Sequence, residues 1–367
     1  MKISMVSALL ATTSTALAVE VQDIGFFPGA LGTVPAGVDG EVRSISMDTY
    51  MGGETFVSRK WTAGQGYSSL PGPGWAESYR SSNLSRDGTT YLGTAANASH
   101  LNGFLVRGQS VIDMGQQPGF LRSYPAGISY DGRTVIGNAL LGDINRYTDE
   151  LGRGFIWREG HGYTNLYAPD GFYDMYMEGL SGDGSAYIAT KWQERGPDIL
   201  FRNKNGVTTD FPANFFWHPT INRDGSRIGV TDYYTGLWIW KEESGMEFLG
   251  PFLFERKGTC QTMNPDGTVI AGYDDQHEAF YWRRGLGVKN LNFYLRSLDP
   301  RNYSLWGWNF NDVVAVSDDG LRMMGRAEHH GVPTLYIATV PEPSSVLAFG
   351  CGLVGVLVLR KRKAATS

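Results

Sequence analysis

The chain has 367 residues, 48 of them glycine, 13% aromatic and only 19% charged. Helices disfavour glycine and pleated strands favour aromatics, so a helical bundle is excluded in favour of many short strands closed by tight turns. Without Lys2, Arg360, Lys361, Arg362 and Lys363 at the two ends, 27 basic residues face 37 acidic ones, the wrong sign for a nucleic-acid partner.

Residues 1–18 have the form of a signal peptide. Lys2 supplies the positive start, residues 3–10 are mostly apolar, and Ala16, Leu17 and Ala18 make a small-residue cleavage site, so the mature chain is expected to begin at Val19. Cys260 and Cys351 cannot build a disulfide framework, and they lack the CxxC spacing of a structural zinc site. Cys260 is read as a small buried hydrophobe.

One phrase recurs along residues 19–340: apolar, Ser or Asn, any residue, Asp, Gly. Its copies are at 44–49 (SISMDT), 83–88, 127–132, 179–184, 220–225, 262–267 and 315–320. Their aspartates, Asp48, Asp87, Asp131, Asp183, Asp224, Asp266 and Asp319, are 39, 44, 52, 41, 42 and 53 residues apart, close to the length of a propeller blade. Ser/Asn and Asp side chains hydrogen-bond nearby backbone and Gly supplies positive φ, so the phrase reads as a hairpin turn.

A β-branched or aromatic run follows each turn, as in TVIG at 134–137. An aromatic strand ending in a basic residue comes next, as in GFIWR at 154–158 and AFYWR at 279–283, and then a strand opening on glycine, as in GYTNL at 162–166. Four strands per repeat make a blade. The seventh copy stops after its third strand, at 334–340, while VQDIG at 21–25 resembles the fourth-strand phrase VIDMG at 111–115. The predicted fold is therefore all-β: a seven-bladed β-propeller closed by the N-terminal strand, plus one C-terminal apolar helix. An open β-solenoid fits the antiparallel pattern less well.

These phrases, with NLNFYL at 290–295, resemble the HAF family of extracellular repeats, which implies an extracytoplasmic repeat protein and supplies no catalytic residues. Thr49 in place of glycine, and the missing aromatic-Trp strand in the second and last copies, depart from the pattern.

The last 27 residues have three parts in order: Pro341, Glu342 and Pro343; a 14-residue apolar run at 346–359; and the stop formed by Arg360, Lys361, Arg362 and Lys363. This ending resembles the PEP-CTERM sorting signal of Gram-negative bacteria, at 341–367. The resemblance implies processing by an exosortase and delivery to the cell surface or exopolysaccharide matrix. Prolines on both sides of Glu342 keep that strip extended. Fourteen helical residues span about 21 Å, short of the roughly 30 Å hydrocarbon core, so the inner-membrane anchor is weak or temporary, with its basic tail in the cytoplasm. The alternative is an ordinary C-terminal anchor.

Chemistry is harder to find. Calcium could use the repeated aspartates, but each turn offers one carboxylate, and the structural-turn reading is preferred. Two acidic and histidine groups, Asp274, Asp275, His277 and Glu278 and then Glu328, His329 and His330, sit in loops without an HExxH helix. Glycoside cleavage needs two facing carboxylates, and no spacing singles out a pair. Trp157, Trp240 and Trp282 recur at one repeat position and read as core. The insertion at 299–312 carries Tyr303, Trp306, Trp308 and Asn309, which could stack on and hydrogen-bond a sugar ring, or could simply pack over the propeller.

The sequence thus points to a monomeric, exported, non-enzymatic propeller with no cofactor, metal or catalytic residue. Its partners are the exosortase, an extracellular polysaccharide or envelope protein, and the membrane before processing. The alternative is a secreted glycosidase or lyase on the same scaffold.

Overall fold

The computed structural model describes residues 19–341 apart from 53–55, 98, 141–152, 169–171, 173, 193–197, 212–215, 233–234 and 253–256. Residues 1–18, Glu342, Pro343, the apolar run 346–359, Arg360, Lys361, Arg362 and Lys363 lie outside the described residues.

The described residues are mostly β, in antiparallel units of four strands consistent with a propeller. The first unit pairs Gly32–Val38, Ser44–Tyr50, Phe56–Thr62 and Gly66–Ser69 in chain order. The second is Ser78–Leu84, Thr90–Ala96, Leu101–Arg107 and Ser110–Asp113, and the third Arg122–Ile128, Thr134–Leu140, Arg153–Arg158 and Gly162–Leu166. The fourth is Asp174–Leu180, Ala186–Trp192, Ile199–Lys204 and Val207–Asp210, and the fifth Phe216–Ile221, Arg227–Asp232, Gly236–Lys241 and Gly245–Gly250. The sixth is Gly258–Met263, Val269–Asp274, Ala279–Arg283 and Gly287–Asn290. One parallel pairing, Arg122 with Leu101, links the second and third units.

The last unit pairs the first and last strands of the described residues. Glu20–Asp23 lies antiparallel to Val332–Thr339, with Glu20 opposite Thr339 and Asp23 opposite Tyr336. Arg322–His329 follows, and two short strands, Trp308–Phe310 and Ala315–Val316, form the inner edge. Val19 is 2% exposed, in one cluster with Leu305, Tyr336 and Val340. The Asp23 carboxylate adds a clasp, accepting from Thr334 Oγ1 (2.5 Å) and pairing with His329 Nδ1 (2.9 Å).

Six of the seven repeat phrases are hairpin turns built alike. In the third unit Ser129 Oγ donates to Asp131 Oδ1 (2.6 Å), the Arg133 amide donates to the same oxygen (3.0 Å), and the Thr134 amide donates to Ser129 Oγ (2.9 Å). Gly132, at φ 70°, closes the loop. With Oδ1 occupied by donors, the carboxylate completes a turn.

The first phrase is different. SISMDT lies within the strand Ser44–Tyr50, where Asp48 accepts from Ser58 Oγ (2.9 Å) and the Ser81 amide (2.8 Å). The first unit's hairpin instead runs through Asp39 and Gly40, and the Asp39 carboxylate takes the amide of Arg43 (2.7 Å). Asp39 stands where the other turns carry Ser or Asn, which hides the copy in the sequence.

The turns also bind one another. Gly40 N donates to Arg86 O, Asp87 N to Tyr130 O, Tyr130 N to Gly182 O, Asp183 N to Arg223 O and Arg223 N to Pro265 O. Asn264 Nδ2 donates to Asp318 O, and Asp318 N donates to Gly40 O. The chain of bonds returns to its starting turn.

Trp157, Trp240 and Trp282 are buried, as their repeat position predicts. The helix Leu291–Leu298 has no counterpart in the sequence reading. Asn290 caps it, and Asn292 exchanges two bonds with the backbone of Phe310 (3.1 and 2.8 Å), so the helix is fixed by contacts distant in the chain.

Candidate functional site

The inner strands share an irregularity. Pairing slips between Pro35 and Gly37, Ser81 and Asn83, Pro125 and Gly127, Met177 and Gly179, Trp217 and Thr220, and Cys260 and Thr262. Each slip is a β-bulge, which re-aims the side chain of the extra residue. Among the bulged residues Ala36, Glu178, Pro219 and Gln261 line a cavity of about 460 Å³. Residues of all seven units among the described residues line that cavity, from Val38 and Asn83 in the first two to Ala315 in the last.

Its wall is rich in hydroxyls and amides: Asn83, Thr220, Gln261, Thr262 and Tyr273. Burial pushes the Glu178 carboxyl above the ordinary glutamate range, and the hydrogen bond from Thr190 Oγ1 (3.2 Å) offsets this only in part. Oε1 of Gln261 is buried with no hydrogen-bond partner among the described residues. A protonated-prone carboxyl, a carboxamide and several hydroxyls can recognise a polyhydroxylated ligand through hydrogen bonds.

At the end bearing the turns, Arg86 lines the cavity. Its Nε contacts Asp318 Oδ1 (2.6 Å) and its Nη2 donates to the Val316 carbonyl (2.6 Å). Tyr130 covers Gly182, where a Cβ would stand 2.6 Å from the ring. Toward the other end Tyr273 stacks on His277.

Glu178 is the single carboxylate among the described residues lining the cavity, so the facing pair of a glycosidase is not assembled there. Among the described residues no group of three His, Cys, Asp or Glu side chains could hold a metal ion. Asp274 instead closes its own loop by accepting from the amides of Gln276 and Glu278 (3.0 and 2.9 Å).

The insertion does not present its four candidates together. Tyr303 is 81% and Trp306 69% exposed, and Asn309 is exposed as well. Trp308 is 4% exposed, against the expectation of a sugar-facing ring: it stacks on His329 at 4.1 Å. The cause is strand alternation. Trp308–Phe310 pairs with residues 327–329, which turns Trp308 and Phe310 inward and Asn309 outward. The bulged residues escaped sequence reading; the signal available was a polar residue breaking apolar alternation, Glu178 in MYMEGL and Gln261 in GTCQTM.

Residues 339–363 match the PEP-CTERM protein-sorting motif. That motif implies export, exosortase processing and sorting to the cell surface. Among curated proteins none matches the chain. Among solved structures the chain is similar to an oligogalacturonate lyase from Vibrio parahaemolyticus, at 12% identity and TM-score 0.57, covering 89% of this chain and 98% of that one. It is also similar to a prolyl endopeptidase, at 11% identity and TM-score 0.56, covering 92% of this chain. A third likeness is TolB from Acinetobacter baumannii, at 13% identity and TM-score 0.45, covering 82% of this chain. The chain spans 52% of the endopeptidase and 64% of that TolB. At these identities the first two likenesses show the propeller-like fold alone.

Proposed function

We propose that the chain is an exosortase-sorted, seven-bladed β-propeller, closed by Glu20–Asp23, that works without catalysis at the cell surface or in the exopolysaccharide matrix. The observation that carries the delivery is the order of strand and motif: the last strand of the described residues ends at Thr339, the first residue of the sorting motif. The resemblance of the repeats to HAF sequences supports the same destination. The cavity supports the binding half of the reading, because hydroxyls, amides and one neutral-leaning carboxyl suit a segment of polysaccharide.

The test has two parts. Mass spectrometry of the mature C-terminus from membrane and extracellular fractions should find chains ending near Pro341 outside the membrane. Full chain applied to immobilised exopolysaccharide should be retained, and Gln261→Ala should weaken retention by about tenfold, the value of one lost buried hydrogen bond. Depolymerisation of the polysaccharide by wild type, abolished in Glu178→Gln, would replace this reading with the glycosidase or lyase alternative.

A further inference from the structure

The two ends of the cavity differ. The turns bind one another in a closed ring, so they share one side of the propeller. The tail leaves on that same side, because the Val340 amide donates to Leu321 O (2.8 Å) beside the Asp319 turn. The opposite end of the cavity therefore looks away from the place where the tail leaves.

Two units carry a matching arrangement at that opposite end. In the fourth, Asp174–Leu180 runs into the Asp183 turn and Ala186–Trp192 runs out of it, so Tyr176 and Trp192 stand at the end remote from the turns. Tyr176 lies opposite Thr190 and Asp174 opposite Trp192, which puts Tyr176, Thr190 and Trp192 on one face of the sheet. Thr190 Oγ1 donates to Oε1 of the bulged Glu178 (3.2 Å), so that face leads into the cavity. Burial first, and then the charge of Glu178, hold the Tyr176 phenol above its ordinary range. Tyr176 is nonetheless 48% and Trp192 37% exposed. In the sixth unit Thr259 lies opposite Tyr273, two residues before the bulged Gln261. Tyrosine and threonine thus recur with the strands exchanged, and here both line the cavity.

We propose that an uncharged polysaccharide strand enters the cavity from this end, its sugar rings stacking on Tyr176, Trp192 and Tyr273 and its hydroxyls meeting Glu178 and Gln261. The inference rests on polysaccharide being the ligand, and adds the direction of entry and the charge of the chain. Sugar rings have apolar faces and polar rims, which match aromatic faces beside buried hydrogen-bonding groups. Gln261 Oε1, buried with no partner among the described residues, would gain a donor from a sugar hydroxyl. Charge selects against a uronate chain. Arg86 is the single basic residue among the described residues lining the cavity, and Asp318 and the Val316 carbonyl hold it (2.6 Å each). Arg80, at the position of the second unit that matches Tyr176, lies 3.8 Å over the Phe56 ring and in the field of Asp48. The acidic excess of the whole chain repels a polyanion besides.

The test applies full-length protein to the neutral and acidic fractions of the native exopolysaccharide, separated by anion exchange and immobilised. Wild type should be retained on the neutral fraction, and Tyr176→Ala and Trp192→Ala should each weaken retention by about threefold to tenfold. Tyr176→Phe keeps the ring and should match wild type, as should Val207→Ala, an exposed position beside Gly206 on the turn side. Equal or exclusive retention on the acidic fraction, retention unchanged in both alanine variants, or equal losses in Tyr176→Phe and Tyr176→Ala each overturn the proposal and leave polysaccharide binding standing. Retention on neither fraction overturns polysaccharide binding itself, and the proposal with it.

Discussion

Asp318 donates its amide to the carbonyl of Gly40 at 2.7 Å, although 278 residues separate them. A Cβ on Gly40 would stand 2.9 Å from both Asp318 carboxylate oxygens, so glycine is what lets Asp318 also reach Arg86. Gly40→Val should displace that carboxylate and cost about 1–3 kcal/mol, the usual range for overpacking. Urea unfolding monitored by tryptophan fluorescence would measure it, and Gly74→Val, where a Cβ meets nothing within 4 Å, serves as control.

Acid should loosen the turns. Burial would raise the carboxyls of Asp87, Asp183 and Asp224, but hydrogen bonds from their own turns outweigh it and hold all three below the ordinary aspartate value. A depressed folded pKa contributes stability that is present above the unfolded value, about 3.9, and lost as pH falls through the folded one. Unfolding free energy should therefore drop below about pH 4, with a shallower drop in Asp183→Asn. Equilibrium unfolding between pH 2 and 6, in steps of about half a unit, checks this.

Glu178 has the opposite sign. Its raised pKa means that the folded state favours the neutral acid, so its contribution is present below the unfolded value and lost as pH rises through the folded one. Glu178→Gln should raise the melting temperature at neutral pH and leave it nearly unchanged near pH 4, where the wild-type carboxyl is already protonated. Equal shifts at both pH values would show that the carboxyl is not held neutral.

Two tryptophans separated by one residue should behave very differently. Trp308→Ala removes a ring stacked between His329 and Phe310 and should cost about 3–5 kcal/mol. Trp306→Ala should stay within about 0.5 kcal/mol, as expected for an exposed position. Paired urea melts of the two variants decide the matter.

The seam between Glu20–Asp23 and Val332–Thr339 should be sensitive to Val19. Val19→Asp places a charge in the cluster with Leu305 and Val340 and should cost about 3–5 kcal/mol, whereas Asn302→Ala loses one hydrogen bond and should cost about 1 kcal/mol. Hydrogen exchange at residues 332–339 should rise in both variants, more in the first.

Strand positions were legible where local chemistry decides them. AFYWR and GYTNL coincide with Ala279–Arg283 and Gly162–Leu166, because aromatic strands bounded by turn glycines carry their signal in a few adjacent residues. The first repeat was misplaced because Asp48 supplies the right letters inside a strand, while the true turn uses Asp39 where its relatives use Ser or Asn. The helix Leu291–Leu298 was missed because its hold comes from Asn292 on Phe310, eighteen residues away. The cavity was invisible for a related reason. A bulge is a property of two strands in register, and only the pairing shows that Glu178 and Gln261 are the extra residues.

The place of Val332–Thr339 between Glu20–Asp23 and Arg322–His329 has a mechanical meaning. Tension applied at Pro341 runs along this strand and loads the ladders on both sides in shear, so many hydrogen bonds must yield together. An edge strand pulled sideways would instead unzip one bond at a time. Resistance to such a load is a matter of unfolding rate rather than equilibrium stability, and the N-terminal strand adds four paired positions to the eight on the other side. A tether drawn through this end would meet two ladders that must yield together.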